Sequence, residues 1–169
     1  MTRADYLTIE TILVALESQY SSSILSTDLT LPIAYSKLAV LELGGWIEES
    51  VDVILYNYID NRLLTNDCKD RIKSIIKKNN GFTYKDHVFH LFICTLGANN
   101  WENIVDIVGN SQISMLDSKF ATYTEQRNKA AHTYQLVTPR YYAPSQVITD
   151  FRTIRPIMEK IEDEVIKLI

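Results

Sequence analysis

The stretch from Pro32 to about Leu64 reads as one helix, and a helix of that length sets the scale for the rest of the chain. It is long for a globular protein and is therefore expected to span a whole helical bundle. Pro32 suits the first turn, where its missing N–H costs nothing. Leu38, Leu41, Gly45, Glu48, Asp52, Leu55 and Ile59 trace one stripe that turns polar in its middle. Gly44 and Gly45 each cost roughly 1 kcal/mol of helix propensity, so the pair implies close helix approach or a kink. The polar middle also admits a functional reading, in which Glu42, Glu48 or Glu49 faces a cleft and contacts an Arg or His there.

The remaining segments are helical as well. Leu7, Ile9, Ile12, Leu13 and Leu16 recur close to helical spacing between Tyr6 and about Gln19, and Ser21-Ser22-Ser23 ends or loosens that helix. Asn66-Asp67 caps a short basic helix running to Lys78 and closed by Asn80-Gly81. Its Lys69, Arg71, Lys73, Lys77 and Lys78 lack interleaved aromatics, so they read as a solvated face. Thr83 caps a helix through Leu96, ended by Gly97. There His87, His90 and Cys94 share an edge, which without a fourth ligand reads as two partly buried histidines beside Phe89, Phe92 and Ile93 rather than a metal site. Asn100-Trp101-Glu102 begins a short helix stopped by Gly109, and Ser111 or Ser114 opens the next. Thr138-Pro139 to Ala143-Pro144 forms a turn or loop whose Tyr141 and Tyr142 either stack on a base or pack in the core. Ser145 caps a last helix with Val147, Ile148, Phe151, Ile154 and Ile157 inward, kinked or divided at Arg155 by Pro156. The expected architecture is all-α, a single helical domain over residues 1–169.

Composition narrows the class. Hydrophobic residues make up 46% and charged residues 22%, the balance of an ordinary globular domain with a proper core. No apolar run approaches a membrane span, and the N-terminus lacks the continuous apolar stretch of a signal peptide, so the expected setting is cytoplasmic, away from membrane. Cys68 and Cys94 are too few for a disulfide framework and are expected to be free thiols. The net charge of −4 argues against a protein that coats nucleic acid by bulk electrostatics. Between Gln126 and Pro156, however, Arg127, Lys129, Arg140, Arg152 and Arg155 stand against Asp150 alone. That is either a basic face suited to a phosphate backbone or a cationic surface in water.

The chemistry-bearing stretch is Phe120 to Tyr134, the end of a motif helix expected near residues 111–134. Arg127, Asn128, His132 and Tyr134 share a broad polar face with the small Ala131 among them, a gap that lets another chain or a ligand come close. Asn128 and His132 are one turn apart, so the amide can orient the ring. Arg127 and His132 diverge by about 140° of helical rotation and cannot grip one small group from a single helix. A His of near-neutral pKa moves protons, and an Arg presents a rigid fork of donors to a phosphate. Metal-free RNA cleavage fits those residues, and two copies across a twofold axis would complete the site. The bland alternative makes Arg127 a surface ion-pairing residue, His132 a bundle histidine and Tyr134 a packing aromatic.

Arg127-Asn128 followed by His132 resembles the Arg-x4-His signature of the HEPN superfamily, including the polar residue after the Arg. The resemblance implies a HEPN-like helical bundle, usually dimeric, and in many members a metal-independent endoribonuclease of toxin–antitoxin or antiphage defence systems. Other members are inactive and bind RNA, a nucleotide or a partner protein. By this resemblance Arg127, Asn128 and His132 would be catalytic, with RNA as partner, a homodimer as assembly and neither cofactor nor metal required. Tyr134, Lys129 and Arg140 would bind substrate or regulate. His132-Thr133-Tyr134 further resembles the Arg-x4-His-x-Tyr form of HEPN toxins whose Tyr is modified by a nucleotidyltransferase antitoxin, which makes an antitoxin or nucleotidyltransferase a candidate partner.

Overall fold

The computed structural model describes residues 5–25, 27–132 and 140–169, and among them every regular element is helical. The order is α1 (Tyr6–Ser23), α2 (Thr30–Arg62), α3 (Asn66–Lys78), a π-helical turn (Tyr84–Val88), α4 (Phe89–Leu96), α5 (Ala98–Val108), α6 (Asn110–His132) and α7 (Pro144–Ile166). The expected long second helix is present, and it is the hub. α1, α3, α4, α6 and α7 all pack against it.

Local chemistry explains the ends. Asp5 accepts the Leu7 and Thr8 amides at 3.1 and 2.9 Å and starts α1. α1 runs on through the serine run and ends at its last member, Ser23, with Ser22 and Ser23 turning their hydroxyls back onto the carbonyls of Ser18 and Tyr20, a bond that helical serines make within their own turn. α5 and α6 follow Gly97 and Gly109, whose φ values of +85° and +101° require glycine. The Gly109 carbonyl accepts from Gln112 and Ile113, so α6 opens at Asn110, just ahead of the serines. α7 opens with Pro144 rather than a Ser145 cap. It stays one helix across Pro156, held on both sides by the buried Ile154, Ile157, Met158 and Ile161.

Two expectations change. Only Leu55 and Ile59 of the proposed α2 stripe reach the deep core, while Leu38 is 41% exposed. With neighbours on several sides, α2 instead buries Val40, Leu43, Ile47, Val51 and Ile54. The helix expected from Thr83 begins with the π-turn, in which the Thr83 carbonyl accepts from both His87 and Val88. The Thr83 hydroxyl lies 2.5 Å from His87 Nδ1. The His87 ring lies against buried Gly81, where an added Cβ would come within 2.9 Å of it.

The core runs the length of the bundle. Trp46 stands between Tyr6 and Phe151 in edge-to-face contacts at 5.8 and 5.0 Å, and Phe92 stacks on Trp101 at 4.3 Å. No described helix is long and apolar enough to cross a membrane.

Candidate functional site

α6 buries Ile113, Leu116, Phe120, Tyr123 and Ala130. Arg127 lies one turn beyond Tyr123 on the same side, so it occupies a core-facing position at the helix end. An Arg there needs partners. α2 supplies them: Arg127 Nη2 donates to Glu48 Oε2 at 2.9 Å, with both side chains about a third or less exposed. The guanidinium also stands over the Phe82 ring, 5.8 Å from its centroid, and Phe82 in turn meets Phe120 edge-on at 6.0 Å. The aliphatic stem passes Gly44 so closely that a Cβ there would sit 3.2 Å from Arg127 Cδ. Gly44 is therefore the close approach that its helix-breaking character implied. Gly45, one residue on, faces open space.

Of the three candidate carboxylates, Glu48 is the one that reaches Arg127. It spends one of the five guanidinium donors and fixes the direction of the rest. Glu48, Glu49 and Asp52 lie within about one turn of α2, and burial, followed by the charges of Glu48 and Glu49, pushes the Asp52 carboxyl up to about 6.

The other sequence-derived residues spread outward. Asn128, Lys129 and His132 are exposed, and His132 is the last described residue of α6. Ala130 is buried and Ala131 exposed, which leaves the small side chain among the polar ones as expected. Lys129 Nζ donates to the Arg140 carbonyl at 3.4 Å, bringing the start of the last described segment beside the motif helix. Tyr134 lies outside the described residues. Arg127 is thus held inward against α2 while His132 is in solvent, and one copy of the chain keeps the two apart, as the rotation between them requires.

The cation excess of residues 126–156 is largely cancelled in space. Arg127 pairs with Glu48, Arg152 and Arg155 with Glu10 at 2.9 and 3.2 Å, and Arg155 with Glu159 at 2.8 Å. A count along the chain misses carboxylates delivered by α1 and α2. Nor are the histidines of the π-turn and α4 a matched pair. His87 is half-buried on Thr83, and His90 is exposed beside Cys94 Sγ at 3.5 Å. Among the described residues, no three His, Cys, Asp or Glu are grouped to hold a metal ion. Both cysteines are free and exposed.

Sequence reasoning missed a polar cluster one turn down α6. Tyr123, fully buried, donates to Asp150 Oδ2 at 2.9 Å, while Lys119 and Gln146 reach Oδ1 at 2.5 and 3.1 Å. Burial, then the charge of Asp150, pushes the Tyr123 hydroxyl's pKa up, so it stays a donor. Lys119, Tyr123 and Arg127 recur every fourth residue, and that spacing was the available signal. Comparison with protein-family models, with curated proteins and with solved structures finds no match to this chain.

Proposed function

We propose that the chain is a metal-independent endoribonuclease of HEPN type, acting as a homodimer in a toxin–antitoxin or antiphage setting. The observation that carries the reading is the seating of Arg127. Glu48, Gly44 and Phe82 hold it near the end of α6 with donors to spare, while Asn128 and His132 of the same helix end are exposed. In this reading Arg127 binds the scissile phosphate and offsets the charge that builds on it. His132 takes the proton from the ribose 2′-hydroxyl or gives one to the leaving 5′-oxygen, and its counterpart on the second copy performs the complementary transfer. The 2′-oxygen forms a bond to phosphorus as the bond to the 5′-oxygen breaks, leaving a 2′,3′-cyclic phosphate and a 5′-hydroxyl. DNA lacks the nucleophile and survives. Asn128 positions the ring or the RNA, with Lys129 and Arg140 on the flanking phosphates.

The second reading is an inactive module that binds RNA, a nucleotide or a partner protein. The ion pairs of Arg127, Arg152 and Arg155, three of the five cations between residues 126 and 156, favour it. One experiment separates the two. Purified protein is incubated with total tRNA in excess EDTA beside His132→Ala and Arg127→Ala, and product ends are tested for cyclic phosphate. The ribonuclease reading expects cleavage by the wild type and a loss of roughly a hundredfold or more in each variant. Intact RNA that is nevertheless retained by the wild type selects the binding module.

A further inference from the structure

α1 and α2 leave a groove of 560 Å³ between them on the outside of the bundle. Its walls are apolar: Ile12 and Leu38 are 36% and 41% exposed, and Leu41 is partly covered. Trp46 forms part of its lining at 8% exposure, its indole N–H fixed on the Asp5 carbonyl at 2.9 Å. The charged residues that line it are Asp5, Glu42 and Glu49, with no cation among the described lining residues. Gly45 lies exposed on the α2 wall, and a Cβ built there meets nothing within 4 Å. Gly44 is explained by Arg127, whereas among the described residues nothing approaches the second helix-weakening glycine of α2. A bare backbone at that point lets something outside approach closely.

We propose that this groove docks a basic amphipathic helix of a partner protein, with apolar side chains against Ile12, Leu38 and Leu41, Lys or Arg side chains on Glu42 and Glu49, and its backbone close to Gly45. Charge selects this occupant. The charges on the described rim are all acidic, which disfavours a second copy and anionic lipid there and attracts cations flanking an apolar stripe. The wall from Leu38 to Val53 spans about 22 Å, which matches a helix of roughly 15 residues. The inference is independent of whether the chain cuts RNA.

The test uses the whole chain and a fluorescein-labelled Leu/Lys helix of roughly 15 residues, read by anisotropy, against a Leu/Glu helix with the same apolar face. Wild type is expected to bind the Leu/Lys helix and not the Leu/Glu helix, and Gly45→Ala to bind the Leu/Lys helix more weakly because its methyl holds the partner's backbone off. Gly45→Trp and the Glu42→Lys, Glu49→Lys double variant are expected to lose roughly tenfold or more in affinity while melting within a few degrees of wild type. Equal binding of both helices, or unchanged affinity in Gly45→Trp and the double variant, overturns the proposal. So does a chain dimer, or binding to phosphatidylcholine vesicles, that Gly45→Trp abolishes, since the groove then belongs to a second copy or to lipid.

Discussion

Two polar clusters lie one turn apart on the same side of α6 and meet opposite fates. At Tyr123 the hydroxyl, Lys119 and Gln146 converge on Asp150, whose residue is 3% exposed. At Arg127 the guanidinium meets Glu48 in a pair that solvent still reaches. The first cluster gathers three donors on one buried carboxylate and joins α6 to α7. The second joins α6 to α2 through a single hydrogen bond and keeps donors available. The burial of the acceptor separates them: the Asp150 carboxylate is sealed, while that of Glu48 is about a quarter exposed.

The largest effect is expected from breaking the inner cluster. Asp150→Ala strands the Lys119 charge and the Tyr123 hydroxyl, and should cost about 3 kcal/mol of stability in urea unfolding. A loss below about 1 kcal/mol would show that water already reaches this cluster, and the contrast drawn above would collapse. Next comes the outer cluster. Arg127→Ala should lower any RNA cleavage roughly a hundredfold or more while shifting stability by less than about 1 kcal/mol, the scale of a partly exposed ion pair. Equal damage to stability and cleavage would make Arg127 a structural residue like Tyr123.

Gly44→Ala sharpens the comparison further. The new methyl presses on Arg127 Cδ from 3.2 Å, and the flexible side chain must shift. Cleavage should fall roughly tenfold, with stability nearly unchanged because the gain in helix propensity of roughly 1 kcal/mol offsets the contact. The smallest effect concerns Asp52. Its carboxyl is pushed up to about 6 by burial and by Glu48 and Glu49, so between its unfolded value and 6 the folded state holds the extra proton. Stability should therefore rise as pH falls from 7 toward 5 and decline as pH climbs through 6. Asp52→Asn should remove that slope and gain less than about 1 kcal/mol at pH 8, since solvent screens half of the group.

How much of this was legible in the sequence follows from how local each signal is. The helices showed themselves because apolar residues recur at helical spacing within each segment, and Gly97 and Gly109 bound their neighbours because only glycine holds a φ near +90° easily. The serine run marked the end of α1 but not its last residue, since serine both ends helices and bonds back into them, and the helix runs on to Ser23. The seat of Arg127 was half legible. Gly44 announced a close approach, and Glu48 was one of three carboxylates on α2 that stood to meet it. Which one does depends on the rotation of α2 against α6, a property of packing. Phe82 arrives from a connection before the π-turn, and no spacing in the chain points at it. Asp150 counted along the chain as a lone charge amid cations, when in space it is the buried anchor of a Lys, a Tyr and a Gln.

Trp46 also makes the bundle its own optical gauge. The chain has two tryptophans. Trp101 is sealed at 1% exposure and stacked on Phe92, whereas Trp46 lies beneath the α1–α2 groove with only its edge in contact with water. Emission from the first reports whether the α4–α5 end of the bundle is intact. Emission from the second shifts when water leaves the groove. In a Trp101→Phe background, the intrinsic fluorescence of the purified chain becomes a label-free record of a tryptophan-free ligand that settles beside Gly45.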